Sequence, residues 1–159
     1  MKKYLIVIIA PLFLVTACKD GDKKINLNQG ASFMATDTLP ENPLLEKVLT
    51  VSVNTKDSTM STLYANKIAV EYATTHGDKK FPPGAVLYQV TWKQKADSVW
   101  FGARIPKEIQ SIERIFYTSN SPAVYELYEG RPLRRSNMQP DPGRIASIVE
   151  QRLAISPYF

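Results

Sequence analysis

One stretch of the sequence, residues 81–106, constrains the fold more than any other, because it reads as a turn followed by two strands. Its opening letters, FPPG, cannot continue a helix, since proline lacks an N–H donor and glycine tolerates positive φ. Apolar and aromatic residues then alternate with mostly polar ones, and the first set is Val86, Tyr88, Val90 and Trp92. A period of two is typical of a half-buried strand.

A second strand is predicted to run back beside the first. Residues 95–97 form a polar turn, and from Ser98 onward apolar side chains alternate again, namely Val99, Phe101, Ala103 and Ile105. We expect Trp92 and Trp100 to lie close together in this hairpin, because aromatic cross-strand pairs stabilise antiparallel ribbons. Pro106 is expected to end the pairing, and residues 106–108 to begin a short helical turn.

The rest of the chain alternates between strand and helix patterns. Strands are predicted at residues 45–54, 111–118 and 123–128, with a short extended segment at 59–64. Asn66 is a good N-cap for a helix that continues through KIAVEYATTH, and Gly77 is expected just beyond its end. Asp141 and Pro142 favour a second helix start. An apolar stripe follows on that helix: Ile145, Ile148, Val149 and Leu153.

These patterns together predict an α+β protein with a mainly antiparallel β-sheet flanked by helices. Two segments also carry a resemblance to a known family. MSTLYANKIAVEYA (residues 60–73) and PPGAVLYQVTWKQKADSVWFGARIP (residues 82–106) resemble, in the same order, segments of the cytochrome P460 family. The likeness covers most of the chain after about residue 45. It implies a cytochrome P460-like fold, and in the best-known members a c-type haem held by Cys-x-x-Cys-His.

This sequence departs from the family at the haem motif. Its only cysteine is Cys18 and its only histidine is His76, so Cys-x-x-Cys-His is absent from the chain. Covalent attachment needs both thiols, and the following histidine normally supplies an axial ligand. We therefore predict no cofactor and do not carry over the family's oxidation chemistry. The family-like segments place the following residues near any pocket: Tyr64, Trp92, Trp100, Phe101 and Arg104.

Each of these residues also has a plainer interpretation. Core packing is the favoured role for Trp92 and Phe101, since large aromatic side chains more often fill a core than line a site. Arg104 is expected to be partly buried, because it follows small and apolar residues, and a buried arginine needs partners.

The N-terminus indicates a bacterial lipoprotein. Lys2 and Lys3 precede an apolar run, and the run ends at Thr16-Ala17-Cys18, which resembles a lipobox. The run falls short of the roughly 20 residues that cross a bilayer. Residues 1–17 are therefore predicted to be a signal peptide, and Cys18 the lipidated residue (palmitate or a similar acyl chain) that anchors the protein. Residues 18–43 are polar and are predicted to form a flexible tether, with a single domain at residues 44–159.

Composition narrows the function classes further. The formal charge is +5, and removal of Lys2 and Lys3 leaves 18 basic against 15 acidic residues, which is too mild for nucleic acid binding. No phosphate loop, dinucleotide turn or nucleophile–histidine pair is present in the sequence, so no catalytic reaction is predicted.

Two hypotheses follow. The first is a lipid-anchored envelope protein, on the periplasmic or surface face of the outer membrane, that binds a small ligand or an envelope protein. The alternative is a non-covalent haem protein of redox or gas-ligand chemistry, with His76, a tyrosine, a lysine or a methionine as the axial ligand.

Overall fold

The computed structural model describes residues 28–76, 80–119 and 121–151, and six strands in this part form one antiparallel sheet. The spatial order of the strands follows the chain. They are β1 Lys47–Asn54, β2 Thr59–Ala65, β3 Val86–Ala96, β4 Arg104–Thr118, β5 Ser121–Glu129 and β6 Arg134–Ser136. The α-helices are α1 Lys67–Thr75 and α2 Arg144–Val149, and 3₁₀ turns occupy Gln29–Ala31 and Pro43–Leu45. The predicted α+β class with a mainly antiparallel sheet is confirmed.

The alternation in β3 is present, but both faces of the strand are covered, so the predicted half-buried strand is wrong: Leu87 and Gln89 are buried as well as Tyr88 and Val90. One face, which we call the front face, carries Tyr88, Val90 and Trp92 against residues of the N-terminal segment 28–45. The opposite back face packs beneath the two helices. Its buried core consists of Leu49, Leu63, Ala65, Ala69, Ala85, Leu87, Ile115 and Ile148.

The N-terminal segment 28–45 is part of the folded domain. Leu39 is buried in the front-face core, and the Trp92 indole N–H donates to the Ala31 carbonyl at 2.9 Å. Thr38 donates from its backbone N–H to the Leu133 carbonyl at 3.1 Å, which joins the segment to the turn before β6. The predicted flexible tether is therefore wrong for residues 28–43, where burial of apolar side chains outweighs the polar composition. Residues 18–27 lie outside the described residues, as does the predicted signal peptide.

The hairpin between β3 and β4 has a longer turn than the sequence predicted. Pairing reaches Ala96 opposite Arg104, and residues 97–103 form the turn. The Asp97 carboxylate accepts from the backbone N–H groups of Val99, at 2.8 Å, and Trp100, at 3.4 Å. Gly102 has φ 79°, a left-handed conformation that glycine adopts freely. The strand predicted from Ser98 onward therefore begins only at Arg104.

Pro106 lies inside β4 instead of ending it. It pairs with Gln94 of β3, and the predicted helical turn at residues 106–108 is part of the strand. β5 pairs with β4 only from Ser111 onward, so the missing N–H of Pro106 falls outside that ladder. The Asn28 side-chain amide donates to the Pro106 carbonyl at 2.6 Å, which covers this part of the strand.

Both predicted helices form, with one correction. Asn66 caps α1 through a bond from the Ala69 N–H to its side-chain oxygen at 3.0 Å, as predicted. The N-cap of α2 is Gly143, with φ 97°. Asp141 and Pro142 lie before it in the preceding turn, so the predicted Asp141 cap is wrong. The predicted stripe residues Ile145, Ile148 and Val149 pack on the back face. Gly77 and Leu153 lie outside the described residues.

Candidate functional site

The five residues predicted to line a pocket occupy two separate places. Tyr64 and Trp92 lie together on the front face, with ring centroids 6.5 Å apart and an edge-to-face angle of 66°. Trp100 and Phe101 lie in the exposed turn 97–103, and Arg104 lies where that turn meets β4. The structure therefore does not bring the five side chains into one site.

Trp92 has the packing role that the sequence favoured, because its side chain is only 6% exposed within the front-face core. Its aromatic neighbour is Tyr64, so the predicted pairing with Trp100 is wrong. Burial raises the pKa of the Tyr64 hydroxyl. Phe101 is fully exposed, which contradicts its favoured core role, and Arg104 is exposed although partial burial was expected.

Sequence reasoning missed a polar network on the front face, centred on Arg114. Its guanidinium lies 3.1 Å from a Glu126 carboxylate oxygen, 3.5 Å from a Glu41 carboxylate oxygen, and 4.4 Å from the Phe116 ring centroid. The Tyr88 hydroxyl donates to Glu41, and burial, followed by this bond, raises the pKa of Tyr88 far above its usual range. The network therefore fixes Glu41 of the N-terminal segment to the sheet.

The neighbouring tyrosine belongs to the same network. The Tyr128 hydroxyl donates to Glu126 at 2.9 Å, and Arg135 contacts the other Glu126 oxygen at 3.2 Å. Burial and the bond to Glu126 raise the pKa of Tyr128 to about 12. Because Glu126 is contacted by two arginines and a hydroxyl, its oxygens are occupied, and it is poorly placed to act as a general base.

The back face holds a second network around Glu113, which is only 5% exposed. Arg144 of α2 donates from Nε to one carboxylate oxygen at 2.8 Å and from a terminal nitrogen to the other. The Tyr125 hydroxyl donates to Glu113 at 2.7 Å, and burial, followed by this bond, raises the pKa of Tyr125. A bidentate arginine–carboxylate pair fixes geometry well, so this network fastens α2 to the sheet.

The buried polar side chains in the part of the chain that the structure describes are engaged within the fold. There, every buried side-chain nitrogen or oxygen has a hydrogen-bond partner, and no cluster of three or more His, Cys, Asp or Glu residues could hold a metal ion. A sequence signal for the networks exists, since Glu113 and Arg114 are adjacent charges enclosed by Ile112 and Ile115. Such charges usually have partners when buried.

His76, the candidate haem ligand, lies far from the front-face residues. It follows α1 on the back of the sheet, and its exposed ring stacks on Tyr72 with centroids 4.2 Å apart and an interplanar angle of 4°. Its Nδ1 lies 2.7 Å from the Thr75 hydroxyl oxygen. These contacts agree with the plainer interpretation of His76 as a residue at a helix end.

The turn at residues 97–103, which we call the hairpin tip, carries three consecutive exposed large apolar side chains. Val99 is 78% exposed, Trp100 is 71% exposed and Phe101 is fully exposed. The tip has a defined backbone, because the Asp97 and Ala103 N–H groups donate to the Ala103 and Trp100 carbonyls at 3.0 and 3.1 Å respectively. Clustered exposed aromatic side chains of this kind usually mark an interaction site.

A shallow cleft of about 460 Å³ lies near the base of the hairpin. Its lining residues are Lys93, Glu108, Ile109, Gln110, Gly130 and Arg131. Lys93 lies 3.2 Å from a Glu108 carboxylate oxygen, and this contact lowers the pKa of Glu108. The cleft is lined mostly by polar and charged side chains.

Comparisons with known proteins add no relatives. No family model matches the chain, and no curated protein matches it.

Proposed function

We propose that the protein is a lipid-anchored envelope protein whose domain binds a ligand or partner and catalyses no reaction. The observation that carries this proposal is the hairpin tip, where Val99, Trp100 and Phe101 are exposed together. A cluster of large apolar side chains on a protein surface usually marks a site that a partner covers. The buried polar groups, by contrast, are engaged in holding the fold together.

The charged residues of the core support binding over catalysis. Glu113 is matched by Arg144, and Glu126 by Arg114 and Arg135, so the buried carboxylates are already neutralised. A catalytic acid or base must reach its substrate within hydrogen-bond distance. These carboxylates are instead committed to arginines.

The anchor in this proposal is Cys18, with the outer membrane as its location. The sequence supports it through the apolar run and the lipobox-like residues before the cysteine. In the described residues, no helix is long and apolar enough to cross a membrane. The test is labelling with palmitate in a bacterial host, in which the wild-type chain should take up label and Cys18→Ala should not. An unlabelled wild-type chain would refute the anchor.

The domain itself is proposed to be a cytochrome P460-like domain without covalent haem. The resemblance at residues 60–73 and 82–106 supports this proposal, and the antiparallel sheet with flanking helices is consistent with it. The lack of Cys-x-x-Cys-His in the sequence argues against covalent attachment. A haemin titration followed by absorption tests the alternative of non-covalent haem.

We expect haemin to give no stoichiometric Soret shift, because His76 is exposed and its ring is stacked on Tyr72. The matched control is His76→Ala, which should give the same spectrum as the wild type. A stoichiometric shift that disappears in His76→Ala would refute the haem-free proposal and establish the non-covalent haem protein in its place.

A further inference from the structure

We propose that the hairpin tip inserts into the interfacial region of the bilayer that carries the lipid anchor, as a second membrane contact. This inference rests on the lipid anchor of the proposed function. It names the partner of the tip, which is a membrane surface with anionic phospholipids.

The side chains of the tip suit the boundary between headgroups and acyl chains. Trp100 combines an apolar ring system with an N–H donor, and such side chains concentrate at membrane interfaces. Val99 and Phe101 on either side of it are purely apolar, and all three are largely exposed. Because these three side chains are consecutive in one turn, they can contact the same patch of bilayer surface.

The charges around the tip favour anionic lipid. Lys95 and Arg104 flank the turn on the two strands, and both are exposed. The acidic residue of the turn, Asp97, accepts from the backbone N–H groups of Val99 and Trp100, so its carboxylate is directed into the turn. Each basic residue near an anionic membrane surface strengthens binding about fivefold. An apolar tip between two cations therefore matches a lipid interface better than it matches a neutral surface.

The first described residue lies near the end of the sheet that carries the tip. The described chain begins at Asn28, whose side chain is bonded to the Pro106 carbonyl at 2.6 Å. Pro106 is two residues from Arg104, which corresponds to about 7 Å along a strand. Cys18 is ten residues before Asn28, so its sulfur lies within about 35 Å of this point at full extension. The tip is thus within reach of the membrane that holds the anchor.

The lipid anchor and the inserted hairpin tip together would fix the orientation of the domain on the membrane. A lipid anchor holds a domain near a bilayer but does not orient it, whereas a second contact fixes which end faces the lipid. With the tip inserted, the shallow cleft at Lys93, Glu108 and Arg131 lies close to the membrane surface, because Lys93 is only three residues from the end of β3.

The test uses the two tryptophans of the chain, of which Trp92 is buried and Trp100 is exposed. The full-length protein is reconstituted into vesicles of phosphatidylcholine and phosphatidylglycerol, with and without brominated acyl chains, which quench nearby tryptophan. The difference between wild type and Trp100→Phe isolates Trp100, and the Trp100→Phe chain itself reports on Trp92.

We expect brominated lipid to quench Trp100 strongly and Trp92 little, and the Trp100 emission to shift to shorter wavelength. Phe101→Ser should lower the equilibrium constant for insertion of Trp100 into lipid about tenfold, because burial of one phenylalanine side chain contributes on the order of a tenfold or greater preference. A double charge reversal, Lys95→Glu with Arg104→Glu, should weaken the quenching when phosphatidylglycerol is present and have little effect without it.

Equal and weak quenching of both tryptophans would overturn the proposal. A blue shift of Trp100 that depends on protein concentration without lipid would also overturn it, because a second copy of the chain would then cover the tip. Failure of the anchor is distinguishable, since mass spectrometry of the purified protein shows whether acyl chains are attached. If they are absent, the same quenching measured after mixing the chain with vesicles still decides the role of the tip.

Discussion

The bond between α2 and the sheet gives the sharpest test of the packing described above. We consider Arg144→Met, which keeps the length and apolar stem of the side chain but removes the guanidinium. Glu113 is 5% exposed and would retain only the hydrogen bond from Tyr125, so a nearly buried carboxylate would lose its countercharge. The change tests whether this pair fastens the helix.

The magnitude follows from the burial of the two partners. Removal of one member of a fully buried ion pair costs about 3–5 kcal/mol. The Arg144 side chain is itself 37% exposed, so water can reach part of the site after the substitution, and we expect the free energy of unfolding to fall by about 2–3 kcal/mol. With a urea dependence of about 2 kcal/mol/M, the unfolding midpoint should fall by about 1–1.5 M.

The assay is urea unfolding followed by the fluorescence of buried Trp92, in a Trp100→Phe background that removes the exposed reporter. The double variant Glu113→Gln with Arg144→Met should recover part of the loss, because the uncompensated charge is gone.

A matched control is available in α1. Lys67 lies 3.7 Å from Glu71, and both side chains are well exposed, so Lys67→Met should leave the midpoint nearly unchanged. If Arg144→Met shifts the midpoint no more than Lys67→Met does, the buried pair does not hold α2, and the reasoning is refuted.

Two further predictions concern backbone strain and alkaline pH. Gly84→Ala should lower the free energy of unfolding by more than Gly102→Ala. Both glycines have positive φ, but a Cβ at Gly84 would lie 3.1 Å from Ile68, whereas a Cβ at Gly102 would meet open space. Equal midpoints for urea unfolding of the two variants would contradict this account. Tyr128 should ionise near pH 12 in an ultraviolet titration. Its pKa in the folded protein lies above that in the unfolded chain, so its contribution to stability is full below about pH 10 and is lost as the pH rises toward 12. Titration at the ordinary tyrosine pKa would show that the hydroxyl is not buried against Glu126.

The sequence predicted the strands well where one local pattern decided the structure. The alternation from Val86 to Trp92 identified β3 and its front face, and Asn66 identified the start of α1. The same alternation was misleading after Ala96, because the Asp97 carboxylate and the positive φ of Gly102 form a turn there. Side-chain hydrogen bonds to the backbone override a hydrophobic period over so short a stretch.

The candidate site was harder to predict, because it depends on contacts between distant parts of the chain. Trp92 is bonded to Ala31 across 61 residues of sequence, and Arg144 to Glu113 across 31. The polar composition around Ala31 predicted a flexible tether there, because no local pattern shows which distant residues a segment will cover. The exposure of the Phe101 side chain also depends on tertiary structure. An apolar residue in a strand-like pattern is usually expected in the core, and the local sequence does not show that residues 97–103 form a turn.

The order of the strands has a consequence for the sequence of events in folding. Each strand pairs with the one made just before it, so the sheet can be assembled progressively as the chain emerges. The segment over the front face is an exception, since Thr38 bonds to Leu133 across 95 residues and Arg134 to Thr36 across 98. Long loops close slowly.

The part of the domain that is synthesised first is therefore expected to reach its place last, once β6 has emerged. Pulse-labelling hydrogen exchange during refolding should show protection of β3 amides before the amide of Thr38. Until that moment, the front of the sheet is open to water, and the side chains that the N-terminal segment later covers remain exposed.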